Sequence, residues 1–103
     1  MSGKRFHSGH ALVGFAIPSQ QVENRIGVTV SRAIKSSVDR NRARRRLREA
    51  AREALIGSDS PLSGVGIRYD VVLIARPAAL EVSFADLRAE ASLAALRLAK
   101  FKP

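Results

Sequence analysis

One segment of this chain, from Arg32 to Arg52, combines a helical apolar pattern with most of the positive charge of the molecule. It contains nine basic and two acidic residues, a net charge of +7, whereas the whole chain of 103 residues carries +9. A solvent-exposed helix normally interleaves both signs of charge, which limits repulsion. So dense a cationic stripe on a small domain indicates a polyanionic partner, most often a nucleic acid.

The apolar residues of this segment predict a helix from Ser36 to Leu55. Ser36 is suited to cap its N-terminus, and Gly57 stands where a C-terminal glycine is common. When residues are placed about 100° apart, one side collects Ala43, Leu47, Ala50, Ala51, Ala54 and Leu55. The opposite side collects Asn41, Arg42, Arg45, Arg46, Arg48 and Arg52, with Arg40 and Arg44 nearer to the apolar stripe. We therefore expect a helix that packs on the core with one side and presents arginines with the other.

Short apolar runs predict the strands of a small sheet. Ala11–Ile17 is apolar and stopped by Pro18, and Arg25–Ser31 alternates between apolar and small or polar residues. The polar residues 19–24 have the length of a hairpin loop, so we expect these two strands to pair antiparallel. Asp70–Ala75 is apolar after its first residue, which is typical of a central strand buried on both faces.

The two ends of the chain complete the predicted domain. Lys4–His7 is expected to add a short edge strand, and Ser83 can cap a last helix with Asp86 at its third position. A stripe on that helix consists of Leu87, Ala91, Ala94, Leu98 and Phe101. The order of strands, helix, strand and helix predicts one α+β domain over residues 1–103, in which helices pack on a small mixed sheet.

Composition excludes several classes of chemistry. The chain has no cysteine, and its two histidines are too few for a metal centre made of protein ligands alone. No apolar run approaches the roughly 20 residues of a membrane-spanning helix, so we expect a cytoplasmic protein. Asp70, Asp86 and Glu90 lie on different predicted elements and are interpreted as strand-entry, capping and surface groups. The sequence thus predicts neither a catalytic side chain nor a metal site.

The stretch Val30–Ala54, VSRAIKSSVDRNRARRRLREAAREA, resembles the signature of the bacterial ribonuclease P protein subunit. In that family a strand ending in Val-Ser leads through a basic turn to a helix opening with Arg-Asn-Arg, here Arg40–Arg42. Asp70–Ala78 follows at a matching distance, and the resemblance covers roughly Gly3 to Lys100. It implies an α+β fold of the kind found in the second domain of the fifth protein of the small ribosomal subunit. There the arginine helix links two parallel neighbouring strands by a left-handed crossover.

The resemblance also implies a function. Such a protein joins a large catalytic RNA, and the holoenzyme is an endoribonuclease that removes the 5′ leader from precursor tRNA. The chemistry belongs to Mg²⁺ bound by the RNA subunit, so the implied partners are ribonuclease P RNA and precursor tRNA, with no membrane and no obligate protein partner. The expected RNA-binding residues are Arg32, Lys35, Arg40, Asn41, Arg42, Arg44, Arg45, Arg46 and Arg48.

Leader binding is the least complete part of the resemblance. Family members usually begin with a basic segment and an aromatic helix that helps line the cleft for the single-stranded leader. This chain begins about where that helix would end. We therefore expect either a truncated sequence or a naturally short member of the family. Single-stranded RNA is commonly held by stacking on aromatic rings. Phe84 and Phe101 fall on the apolar side of the last helix, which leaves Phe6 and Phe15 as candidates against the competing interpretation of core packing.

Two other functions remain open from the sequence. A noncatalytic protein that binds structured RNA, of the ribosomal or RNA-chaperone type, would use the arginine helix equally well. A basic amphipathic helix that binds a membrane or an acidic partner would instead need its apolar face exposed.

Overall fold

Four strands of the described chain pair into one mixed sheet, and two helices pack on it. The computed structural model describes residues 3–19, 25–56 and 68–100. Its elements are β1 (Lys4–Ser8), β2 (Leu12–Ser19), β3 (Arg25–Val30), α1 (Ser37–Ile56), β4 (Arg68–Ala75), a 3₁₀ helix (Pro77–Leu80) and α2 (Phe84–Ala99). The strand order is β1-β2-β4-β3, with β3 and β4 parallel and the other neighbours antiparallel. This is the α+β architecture that the sequence predicts.

The connection from β3 through α1 to β4 joins two parallel neighbours, as the resemblance implies. The predicted hairpin between β2 and β3 is wrong, because β4 lies between these strands and pairs with both. A short loop favours a hairpin, but each strand also has an apolar side that fits a partner much later in the chain. In the observed pairing Val71, Leu73 and Ala75 of β4 are buried between β2 and β3.

Pro18 does not end β2, which runs on to Ser19 with Pro18 opposite Tyr69 of β4. The pairing of β1 with β2 reaches only to Lys4 opposite Ala16. Pro18 thus lies beyond the part of the β1–β2 ladder that the structure describes, and proline, which has no N–H to donate, is tolerated at sheet edges.

The two faces of the sheet differ in burial. In β4 the residues Val71, Leu73 and Ala75 are buried beneath the helices, whereas Val72 and Ile74 are half-buried on the opposite face. The prediction that β4 is buried on both faces therefore holds for one face only. The opposite face, called the open sheet face below, carries Val13, Phe15, Ile17, Val72 and Ile74.

Helix α1 begins and packs as its pattern predicts. The Ser36 hydroxyl accepts a hydrogen bond from the Asp39 backbone N–H at 3.4 Å, which caps the first turn. The stripe is buried at Ala43, Leu47, Ala50, Ala51 and Leu55, and Ala54 packs against it half-buried. The expected C-terminal Gly57 lies outside the described residues.

Helix α2 also has the predicted start, because the Ser83 hydroxyl accepts from the Asp86 N–H at 3.1 Å. Leu87, Ala91, Ala94 and Leu98 are buried as expected, and Phe101 lies outside the described residues. Phe84 departs from the expectation of an apolar, packed position, since 39% of its surface is exposed. As the first residue of the helix, Phe84 lies at the rim of the α1–α2 contact, where it lines a groove rather than the core.

A bulge in β1 turns two successive side chains toward the helices. The register with β2 shifts between Arg5 and His7, and both Phe6 and His7 are buried. The Phe6 ring lies across Gly14, where an added Cβ would come within 2.5 Å of the ring. Because no side chain at position 14 could share that space, this close approach requires glycine.

The buried His7 joins β1 to α2. Arg97 donates to His7 Nδ1 at 3.0 Å, and since arginine has no acceptor, His7 carries its proton on Nε2 and donates to Glu90 Oε2 at 3.1 Å. Glu90 also accepts from the backbone N–H groups of Ala11 and Leu12, both at 2.9 Å. The interpretation of Glu90 as a surface group is thus wrong: its carboxylate fixes the β1–β2 turn to α2.

Candidate nucleic-acid interface

Four arginines form an outward row along α1. Arg42, Arg45, Arg48 and Arg52 are exposed and recur every three or four residues, so they lie on one side of the helix. We call these four residues the outer arginine row. At about 1.5 Å per residue the row extends over roughly 15 Å. Among the described residues, none of these four guanidinium groups has a hydrogen-bond or ion-pair partner, so their donors face solvent.

Arg40 instead turns toward the protein. Its guanidinium donates to the backbone carbonyl groups of Ser31 and Ile34 at 3.1 and 2.9 Å, and to that of Val30 at 3.4 Å. These carbonyls lie at the end of β3 and in the turn that leads to α1. The half-buried Arg40 therefore closes the β3–α1 turn.

Arg46 also bonds within the protein. Its Nε donates to the Ala79 carbonyl at 3.0 Å, and its Nη2 donates to the Val82 carbonyl. Both carbonyls belong to the segment that connects β4 with α2. The helical pattern places Arg46 with the outward arginines, so its actual position is a correction: the 3₁₀ helix lies beside this side of α1 and supplies the acceptors.

The remaining predicted residues surround the start of α1. Asn41 is exposed, and its Oδ1 accepts from Arg44 Nη1 at 3.0 Å. Arg32 and Lys35 are exposed in the turn, which is ordered by an Ile34 N–H bond to the Ser31 carbonyl at 3.1 Å. The structure thus presents Arg32, Lys35, Arg42, Arg45 and Arg48 outward and engages Arg40, Arg44 and Arg46 in internal bonds.

Arg52 belongs to the outer arginine row but is absent from the RNA-binding residues that the sequence predicts. Its position ten residues after Arg42 on the helical repeat is the signal that places it there. The row continues from Arg52 toward α2, where Glu49, Arg52, Phe84 and Arg88 line a groove.

The two aromatic candidates have different surroundings. Phe6 is 9% exposed and packs in the core between the sheet and the helices. Phe15 is half-buried on the open sheet face, where the neighbouring Ile17 is 38% exposed. Of these two rings, only that of Phe15 lies on a surface that the described helices leave uncovered.

The described residues contain neither a cluster of metal ligands nor a membrane-spanning helix. No group of three or more His, Asp or Glu side chains among them is arranged to hold a metal ion. Neither described helix is long and apolar enough to span a membrane. The apolar stripe of α1 is buried, whereas the interpretation as a membrane-binding or acidic-partner helix needs that stripe exposed.

Comparison with known proteins agrees with this architecture. The chain is 38% identical over 89 residues to the ribonuclease P protein component of Nocardioides, covering 86% of this chain and 68% of that protein. It is 46% identical over 63 residues to that of Gluconacetobacter diazotrophicus, covering 61% of this chain and 49% of the relative. The chain thus spans about half the length of the Gluconacetobacter protein.

A solved structure shows the same fold. The ribonuclease P protein from Thermotoga maritima superimposes with a TM-score of 0.71 at 22% sequence identity, covering 93% of this chain and 84% of that one. The family model described as Ribonuclease P matches residues 1–99. With nearly the whole sequence matched, this chain belongs to the ribonuclease P protein family.

Proposed function

We propose that this chain is the RNA-binding protein subunit of a ribonuclease P. It binds the catalytic RNA and assists the endonucleolytic removal of the 5′ leader from precursor tRNA in the cytoplasm, and the Mg²⁺ that supports the cut is held by the RNA. The observation that carries the proposal is the outer arginine row, whose four guanidinium groups are exposed on a helix fixed to the core.

Arginine suits this role for a physical reason. Its planar fork donates two parallel hydrogen bonds to phosphate oxygens and stays charged at any relevant pH. Each phosphate that the protein neutralises releases counterions from the RNA, so the protein substitutes for part of the cation atmosphere that a folded RNA needs. The benefit of the protein should therefore be largest when Mg²⁺ is scarce.

The buried side of α1 makes this row rigid. Ala43, Leu47 and Ala51 anchor the helix in the core, and the internal bonds of Arg40 and Arg46 hold its first half against the β3–α1 turn and the 3₁₀ helix. Side chains on a fixed helix lose less conformational entropy when they bind than side chains on a mobile segment. Phe15 on the open sheet face is the residue we propose for contact with the single-stranded leader, and Phe6 contributes to the core.

The test is precursor-tRNA cleavage by a bacterial ribonuclease P RNA at low Mg²⁺, with and without the chain. We expect the chain to stimulate cleavage, and Arg45→Glu to weaken RNA affinity by about tenfold because a phosphate contact becomes a repulsion. Lys100→Glu, which makes the same change of charge at the exposed residue that follows α2, is the matched control and should retain the stimulation.

Each outcome separates the alternatives. Stimulation that needs no more of the Arg45→Glu chain than of the wild-type chain would contradict the assignment of the site to α1. Tight binding of structured RNA without any stimulation would favour the noncatalytic RNA-binding function instead. The reconstitution contains only RNA and this chain, so full activity would also support the proposal that no other protein is required.

A further inference from the structure

A groove between α1 and α2 holds a combination of side chains that the outer arginine row does not explain. Its lining residues are Glu49 and Arg52 from α1, and Phe84 and Arg88 from α2. Phe84 is the first residue of α2, and 39% of its surface is exposed. Part of the Phe84 side chain is therefore accessible to a ligand in the groove.

The groove suits an unpaired nucleotide better than a phosphate alone. Bases stack on aromatic rings in single-stranded RNA recognition, and the flanking phosphates need cations close by. Arg52 and Arg88 supply positive charge on either helix, and Arg52 is also the last residue of the outer arginine row. An RNA that follows the row along α1 therefore arrives at Phe84.

Glu49 adds base selectivity. Its exposed carboxylate has no hydrogen-bond or ion-pair partner among the described residues, although it stands in the most basic segment of the chain. A carboxylate repels phosphate and only accepts hydrogen bonds. The Watson–Crick edge of guanine presents two adjacent donors, N1–H and the N2 amino group, whereas adenine, cytosine and uracil each place an acceptor beside their donor.

We propose that this groove is a binding site for one unpaired guanine nucleotide of RNA, with the base on Phe84, its Watson–Crick edge on Glu49 and its phosphates near Arg52 and Arg88. The inference rests on the proposed RNA-binding function and adds a base-selective subsite to it. Arg52 and Arg88 lie near the phosphates of the RNA backbone, Phe84 stacks on the guanine base, and Glu49 accepts hydrogen bonds from its Watson–Crick edge.

The experiment measures the affinity of the full chain, at low salt, for nine-nucleotide oligouridines with one central guanosine, adenosine or inosine. We expect guanosine to bind about tenfold tighter than adenosine, as for a good bidentate contact. Inosine keeps N1–H but lacks the N2 amino group, so its affinity should fall between the two.

Two variants separate selectivity from general electrostatics. Glu49→Gln removes both the bidentate acceptor and a negative charge, so the affinity for the adenosine oligonucleotide should rise modestly, the affinity for the guanosine oligonucleotide should fall, and their ratio should approach one. Asp39→Asn is the matched control, because it removes the same charge from an exposed position at the other end of α1, and it should leave the ratio unchanged. Phe84→Leu should weaken binding of all three oligonucleotides, whereas Leu93→Ala, at an exposed apolar position elsewhere on α2, should not.

The outcomes distinguish failure of the guanine site from failure of the proposed RNA-binding function. Equal affinity of the wild-type chain for guanosine and adenosine, or a ratio that survives Glu49→Gln, would overturn the guanine site while the RNA-binding proposal stands. Absence of binding to every oligonucleotide and to ribonuclease P RNA would overturn both.

Discussion

Arg45 and Arg46 are neighbours in the sequence, carry the same charge and differ completely in their surroundings. Arg45 is exposed on the outer row, whereas Arg46 is half-buried and donates to two backbone carbonyls beyond the end of β4. Arg42 and Arg40 repeat the contrast nearer the start of α1, since Arg42 is exposed and Arg40 donates to three carbonyls around the β3–α1 turn. The arginine-rich pattern therefore combines residues that present charge with residues that hold the presenting helix in place.

The largest expected effect is a loss of stability on substitution of Arg46, one of the arginines that bond within the protein. Arg46→Met keeps the aliphatic stem but removes the donors, so the carbonyls of Ala79 and Val82 lose their charged partner. We expect the free energy of unfolding to fall by about 2 kcal/mol, as for hydrogen bonds to charged groups. Urea unfolding followed by circular dichroism measures this change.

Arg45→Met is the matched control for that experiment. It makes the same substitution one residue earlier, at an exposed position without a partner among the described residues, and should change stability by no more than about 0.5 kcal/mol. Equal losses of stability in the two variants would show that the contrast between them does not exist in solution.

Local patterns in the sequence account for the helices, because their signals lie within the segments that form them. The caps at Ser36 and Ser83 and the buried stripes of α1 and α2 follow from residue type and spacing alone. The position of Arg46 does not, since its acceptors Ala79 and Val82 are more than thirty residues away in the chain. On the helical repeat Arg46 cannot be distinguished from its exposed neighbours.

The sheet shows the same limit. The strands of the described chain lie near their predicted positions, but strand adjacency depends on contacts between distant segments. A loop of hairpin length predicts pairing of β2 with β3, and only the insertion of β4 between them decides otherwise. The β1 bulge is a second case, because an alternating strand would place Phe6 and His7 on opposite faces, whereas the register shift buries both.

A smaller effect concerns the salt dependence of RNA binding. Arg45→Met should reduce the slope of log affinity against log salt concentration by about one unit, since one phosphate contact is lost. Arg46→Met should leave that slope unchanged at temperatures where it stays folded, because its donors are already used inside the protein. Filter binding of ribonuclease P RNA over a range of salt concentrations measures both slopes, and a reduced slope for Arg46→Met would place that guanidinium on RNA as well.

The smallest expected effects are those of substitutions at Asn41, which lies between the internally bonded Arg40 and the exposed Arg42. Asn41 Oδ1 accepts a hydrogen bond from Arg44 at 3.0 Å on the exposed surface. This bond is open to water, so Asn41→Ala should change the free energy of unfolding by less than about 0.5 kcal/mol. Asn41→Asp keeps an acceptor for Arg44 and adds a negative charge to the first turns of α1, which favours the helix but repels phosphate. We therefore expect RNA affinity to fall several-fold in Asn41→Asp and to stay within about twofold of wild type in Asn41→Ala. A large loss of RNA affinity in Asn41→Ala would instead mean that the Asn41 amide itself contacts RNA. Asn41 would then belong with the RNA-facing residues, and the nearest residue of the group that holds the helix in place would be Arg40.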